Sequence, residues 1–192
     1  MVRPRSREKD EQILLAATAL FAEHGYPLVA VADIAARAGV GLSTLYLRFS
    51  SKEALGNAVY QHCKRTWARS TLDKVPAGAP PADQFRAYWD HLHRFAKTHR
   101  DEASYAERRP AGHALDAETT ALLEELHARS TRLVDSWTVS SADPLSHEVV
   151  AALIHGTFWQ IYALPVPARR RATLLRQARD TIWNAITHQQ HP

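Results

Sequence analysis

The chain has 192 residues, 45% of them apolar and 23% charged, with a formal net charge of +4 when its histidines are neutral. That length supports one or two domains with real cores, and that composition excludes collagen-like and low-hydrophobicity disordered chains. One cysteine, Cys63, excludes an intrachain disulfide framework or a multi-cysteine zinc site and agrees with a reducing compartment. There is no run of about 18 or more apolar residues to span a bilayer. The basic start (Arg3, Arg5, Arg7) passes into Glu8 and Asp10 rather than an apolar signal core. A cytoplasmic location without a membrane partner is therefore expected, and the positive balance suits an anionic partner without demanding one.

Residues 8–24 predict the first helix: Ile13, Ala17, Leu20 and Phe21 recur at helical spacing and Gly25 follows as a C′ residue. A connector with Pro27 leads to a short helix marked by Val31, Ile34, Ala35 and Ala38 and stopped by Gly39. A second short helix spans about 43–48 with Leu45 turned inward. Ser50 or Ser51 caps a long helix that begins with Lys52 and Glu53 and runs to about Lys74. The Pro/Gly-rich residues 76–81 form a loop. Helices follow over 82–98, around 101–109, over 116–138, after a break at Asp143 and Pro144 over 146–163, and over 168–187. The reading is all-α, about nine helices with no convincing strand, and no repeat.

Residues 31–53 hold the informative constellation. Two short helices meet at a turn where Gly39 permits a positive φ, Val40 plugs the angle, and Ala35 is small enough for close approach. Leu45 and Phe49 anchor the second helix to Ile34 and Phe21, so the first long helix supplies a third wall. The second short helix then keeps a face bearing Leu42, Ser43, Thr44, Tyr46, Leu47 and Arg48, of a width that fits the DNA major groove. Thr44 and Tyr46 are otherwise surface residues of a compact unit, and Leu42 shares helical spacing with Leu45 and Phe49, which leaves a core role open for it. Arg3, Arg5 and Arg7 either enter a minor groove or form a solvated tail.

The run Ile34-Ala35-x-x-Ala38-Gly39-Val40, followed by Thr44-Leu45-Tyr46-x-x-Phe49-x-Ser51-Lys52-Glu53-x-Leu55, resembles the TetR/AcrR transcription regulators over roughly residues 8–60. The resemblance implies a three-helix helix-turn-helix DNA-binding domain over 1–50 and a helical ligand-binding and dimerisation domain over 51–192. It implies phosphate contacts from Thr44, Tyr46 and Lys52, a phosphate or guanine contact from Arg48, and base-facing positions at Leu42, Ser43 and Leu47. Family members often have polar groups where this chain has Val29, Ala30 and Ala32. The reading face also lacks Asn and Gln, the usual adenine readers, so sequence choice leans on Arg48, on Leu42 and Leu47 against thymine methyls, and on DNA shape.

By the same resemblance the partners are a palindromic operator in double-stranded DNA, a second copy of the chain, and an unknown small-molecule effector of largely hydrophobic character. Trp67, Tyr88, Trp89, Leu92, Phe95, His155 and Trp159 are pocket candidates, although aromatic residues on helices are as readily core. Gly156 and Trp183 are dimer-interface candidates, because Gly156 inside an apolar helix fits a close helix crossing, between chains or within one. Cys63 reads as a small buried hydrophobe rather than a redox switch. His91 and His93 fall on different sides of a helix and are poor joint ligands, so neither metal nor cofactor is expected. No phosphate loop, nucleophile elbow or zincin motif points to an enzyme. The functional expectation is a ligand-responsive repressor acting as a homodimer. The alternative is a helical small-molecule-binding protein that has lost specific DNA recognition.

Overall fold

The structure, a computed structural model, describes residues 4–107, 114–138 and 145–187, with residues 4–7 described by backbone only. Among the described residues there are nine α-helices and no strand: α1 Pro4–His24, α2 Val31–Arg37, α3 Leu42–Arg48, α4 Lys52–Ser70, α5 Pro81–Thr98, α6 Arg100–Glu107, α7 Ala117–Thr138, α8 His147–Ala163 and α9 Ala168–Thr187. Short 3₁₀ turns at Tyr26–Leu28 and Leu72–Lys74 complete the order.

Two ends differ from the sequence reading. Helix α1 begins at Pro4, where the missing proline N–H breaks no intrahelical bond, so Arg5 and Arg7 belong to its first turns rather than to an extended arm. Arg3 and the side chains of Arg5 and Arg7 lie outside the described residues, as do Pro110 and the break at Asp143 and Pro144. Helix α4 stops at Ser70, and Leu72–Lys74 is a separate 3₁₀ turn.

Side-chain caps start three helices. Ser51 Oγ accepts from Ala54 N at 3.1 Å, Asp116 Oδ1 from Thr119 N at 2.8 Å, and Ser146 Oγ from Val149 N at 3.5 Å. Each satisfies an N–H that the helix itself leaves without a partner.

The chain divides into two compact units, Met1–Asp73 with Leu92–Leu126, and Lys74–His91 with His127–Pro192. In the first, α6 packs against α1 and α4, and α1 against α2. Its core runs without a break from the helix-turn-helix into α4 and α6: Ile13, Ala17, Phe21, Ile34, Leu45, Leu55, Val59 and Cys63 are buried with Tyr60 and Tyr105. In the second, α8 packs along α9. Its interior is aromatic, with Phe85 lying 5.3 Å from both Trp137 and Trp183 and 6.3 Å from Trp89 between ring centroids.

Candidate nucleic-acid interface

The turn between α2 and α3 is built by the backbone. Gly39 N donates to Ala36 O at 3.1 Å and Val40 N to Ala35 O at 3.0 Å, the paired bonds of a Schellman ending. Gly39 has φ +66°, a conformation that costs an L-residue about 1–2 kcal/mol. The chain then re-enters helix at Leu42. Val29, one of the positions lacking an expected polar group, is buried in the core; Ala30 is the N-cap of α2 and offers no side-chain cap bond; Ala32 is exposed.

Helix α3 buries only Leu45 completely, and Phe49 packs partly against the same core. Leu42, Tyr46 and Leu47 are 45%, 47% and 84% exposed, Ser43 is exposed, and Thr44 is half-buried. A seven-residue helix whose apolar side chains face outward has gained nothing from its own core for doing so. Five of the seven candidates therefore share one outward-facing helix surface, with Leu42 on it rather than in the core.

The two cationic candidates are placed differently. Arg48 is half-buried, its Nη1 3.2 Å from Oδ1 and 3.4 Å from Oδ2 of Asp10, which ties the end of α3 to α1. Lys52 donates to Pro27 O at 3.2 Å with its ammonium 4.7 Å from the centre of the Tyr26 ring. Both side chains tie the helix-turn-helix to its neighbours, Arg48 to α1 and Lys52 to the Tyr26–Leu28 turn. Asp10, Tyr26 and Pro27 were missed at sequence level because Asp10 lies 38 residues from Arg48 and the lysine's partner is a backbone carbonyl.

Helix α4 leads from the reader and is tied to the start of α7 by a polar ladder. Asn57 Nδ2 donates to Ala114 O at 3.1 Å while its Oδ1 accepts from Asp116 N at 3.2 Å. Gln61 Nε2 donates to Thr119 Oγ1 at 2.9 Å, and Arg65 pairs with Glu118 at 3.3 Å. Asn57, Gln61 and Thr119 are buried, so their polar groups depend on one another for satisfaction.

Of the pocket candidates, Trp67, Leu92 and Phe95 belong to the first unit and Tyr88, Trp89, His155 and Trp159 to the second. Leu92 and Phe95 are fully buried, and Trp67 is half-buried with Lys64 Nζ 5.9 Å from its ring. Burial also lowers Lys64 below the ordinary lysine value. In the second unit Trp89 packs edge-on to Phe158 at 5.6 Å, Tyr88 lies 5.6 Å from Trp137, and Tyr88 Oη sits 3.0 Å from His155 Nε2. Trp159 is half-buried with its indole N–H enclosed and without a hydrogen-bond partner among the described residues. Of the two dimer candidates, Trp183 turns its ring onto Phe85 inside the unit, whereas Gly156 is exposed. A Cβ added to Gly156 meets nothing within 4 Å among the described residues, which removes an intrachain helix crossing as its cause. No helix of the described residues is long and apolar enough to cross a membrane.

The family model of bacterial regulatory proteins of the tetR family matches residues 13–59, which covers α2, α3 and the flanking parts of α1 and α4. The chain is similar in fold to a TetR family transcription regulator from Marinobacter aquaeolei (TM-score 0.74, 19% identity, 93% of this chain and 97% of that one). It is similar to a TetR family protein from Vibrio parahaemolyticus described as a putative transcriptional regulator (TM-score 0.71, 24% identity, 95% and 100%). A third similar structure is AibR, solved with isovaleryl coenzyme A and operator DNA (TM-score 0.72, 21% identity, 93% and 97%).

Proposed function

We propose that this chain, a TetR-family regulator by residues 13–59 and by its fold, binds a palindromic operator as a homodimer and is released from it by a small, largely hydrophobic effector, as a repressor would be. The observation that carries the DNA reading is the outward surface of α3, with Leu47 84% exposed beside Leu42, Ser43 and Tyr46 while Leu45 is sealed in the core. Such a helix presents its N-terminal turn to base edges, and Thr44, Tyr46, Arg48 and Lys52 supply phosphate partners at its rim.

A second copy is supported by α8. Val149, Ala152, Leu153, Gly156, Gln160 and Ile161 line an open groove of about 580 Å³ along one face of the helix. The stripe is apolar apart from Thr157 and Gln160, and Gly156 at its centre lets another helix approach closely. A homodimer carries two α3 helices, one for each of two successive major grooves, hence the palindrome. The effector reading rests on the aromatic interior of the second unit, where the hydrogen-bonded Tyr88–His155 pair places polar groups beside the rings. An effector acts only by preferring the arrangement that does not fit DNA, and α4, continuous with the reader and laddered to α7, is the element through which the two arrangements differ.

The test is an anisotropy titration of the full chain with duplex from its own upstream region and with a scrambled duplex. Affinity is expected to fall on the order of a thousand-fold between about 50 and about 200 mM salt, with the native duplex preferred. Light scattering should report a dimer for the wild type and a monomer for Gly156→Arg, a substitution that meets open space within the chain. Absence of DNA binding even at the lower salt would transfer the chain to the alternative reading, a helical small-molecule-binding protein.

A further inference from the structure

We propose that His127, His147 and Glu148 form a binding site for a divalent transition-metal ion that clamps α7 to the first turn of α8. One imidazole nitrogen from each histidine and one carboxylate oxygen of Glu148 lie within 4.8 Å of one another. The two rings stand perpendicular, their centroids 4.6 Å apart and their planes at 89°. Ser130 Oγ lies 2.9 Å from His147 Nε2 and holds that ring in place. The other nitrogen of the same ring, Nδ1, is enclosed and has no hydrogen-bond partner among the described residues.

The donor set chooses the ion. Two imidazoles and one carboxylate suit zinc, cobalt(II) or nickel(II); calcium and magnesium require oxygen ligands. Donors of a tetrahedral zinc ion lie about 3.3 Å from one another. His127 and Glu148 are exposed and close the remaining distance by side-chain rotation, Glu148 giving up its hydrogen bonds to Ser146 and to its own N–H, while the half-buried His147 stays fixed by Ser130. A hydrogen bond of that kind to a ligating histidine sets its tautomer and orientation. Three protein ligands leave a fourth position for water.

Glu148 has a second task. The site sits at the start of α8, where the exposed N–H groups disfavour a cation, and its carboxylate offsets that field. The site is independent of α3 and does not depend on how the chain reads DNA. Sequence spacing did not reveal it because its histidines come from two helices separated by a connector.

The experiment uses the untagged, metal-free full chain titrated with Zn²⁺ by calorimetry and with Co²⁺ by visible absorption. One ion per chain is expected, with the intense absorption of tetrahedral nitrogen and oxygen ligation for cobalt. His127→Ala and His147→Gln should each weaken binding by at least about 100-fold, and Glu148→Gln and Ser130→Ala by roughly 10-fold or more, the scale seen when a supporting shell is removed. Circular dichroism of the metal-free variants should match the wild type. Full-affinity binding by the His127→Ala, His147→Gln double variant, or loss of binding only in a His188→Gln, His191→Gln control, overturns the proposal, as does absence of a bound ion in the wild type.

Discussion

Replacing Arg48 with alanine removes the guanidinium that lies 3.2 Å from Asp10, and with it the link between α3 and α1. The two side chains are 26% and 37% exposed, so the pair is partly screened, and it contributes about 0.2–1 kcal/mol to stability. Arg48→Ala and Asp10→Asn should therefore destabilise the chain by similar small amounts, and the double variant by little more than either alone. DNA binding separates the two roles of the arginine. If Arg48 also neutralises a phosphate, its loss makes the slope of log affinity against log salt shallower by about 0.9 per subunit, roughly a 3.5-fold difference per contact across a fourfold change in salt. Asp10→Asn removes the carboxylate charge beside the guanidinium and should leave the slope unchanged or steepen it. The assay is anisotropy at four or so salt concentrations, with urea unfolding of the same variants alongside. An Arg48→Ala slope equal to the wild type, together with the stability loss, would refute a phosphate role and leave Arg48 a strut between helices.

Three further outcomes follow from individual residues. Ala30→Ser places a hydroxyl at the uncapped start of α2 and should stabilise the chain by about 0.5–1 kcal/mol, a rise of roughly 1–4 °C in Tm by calorimetry. Gly39→Ala meets no neighbour within 4 Å, so its cost is the positive φ alone; denaturant unfolding should show a loss of about 0.5–1.5 kcal/mol after the smaller entropy of the unfolded alanine chain is counted. Burial pushes the Cys63 thiol from 9.0 up to about 12, so the folded chain keeps its proton where the unfolded chain has lost it. Stability from this group is complete below pH 9.0 and falls as pH rises toward about 12, by up to about 1.4 kcal/mol per unit, and burial raises Tyr105 in the same sense. Thiol reagents at neutral pH should accordingly label Cys63 only on unfolding.

Much of the reader was legible. The inward placing of Leu45, the stop at Gly39 and a serine cap at Ser50 or Ser51 follow from signals within a few residues of each position; the structure places the first two as read and chooses Ser51 for the cap. The start of α1 at Pro4 was less visible, because Arg3, Arg5 and Arg7 read as a charged arm and not as a helical turn. The pocket candidates were chosen by residue type alone. Type cannot tell Tyr88 and Trp89, packed among other rings, from Trp67 in the other unit. Gly156 and Trp183 looked alike as interface residues, yet one faces open space and the other the ring of Phe85.

The amino-acid sequence by itself determined the helices, most of their ends and the outward chemistry of α3. Those properties come from local backbone preference and a 3.6-residue apolar period, which neighbours in the chain carry between them. Tertiary structure alone decided the partners of distant groups: Arg48 with Asp10, Lys52 with Tyr26 and Pro27, Asn57 with the start of α7, and His127 beside His147. Each of those pairings depends on where two helices lie in space. A charge or a ring nitrogen carries no signal of its partner until packing has brought the two together.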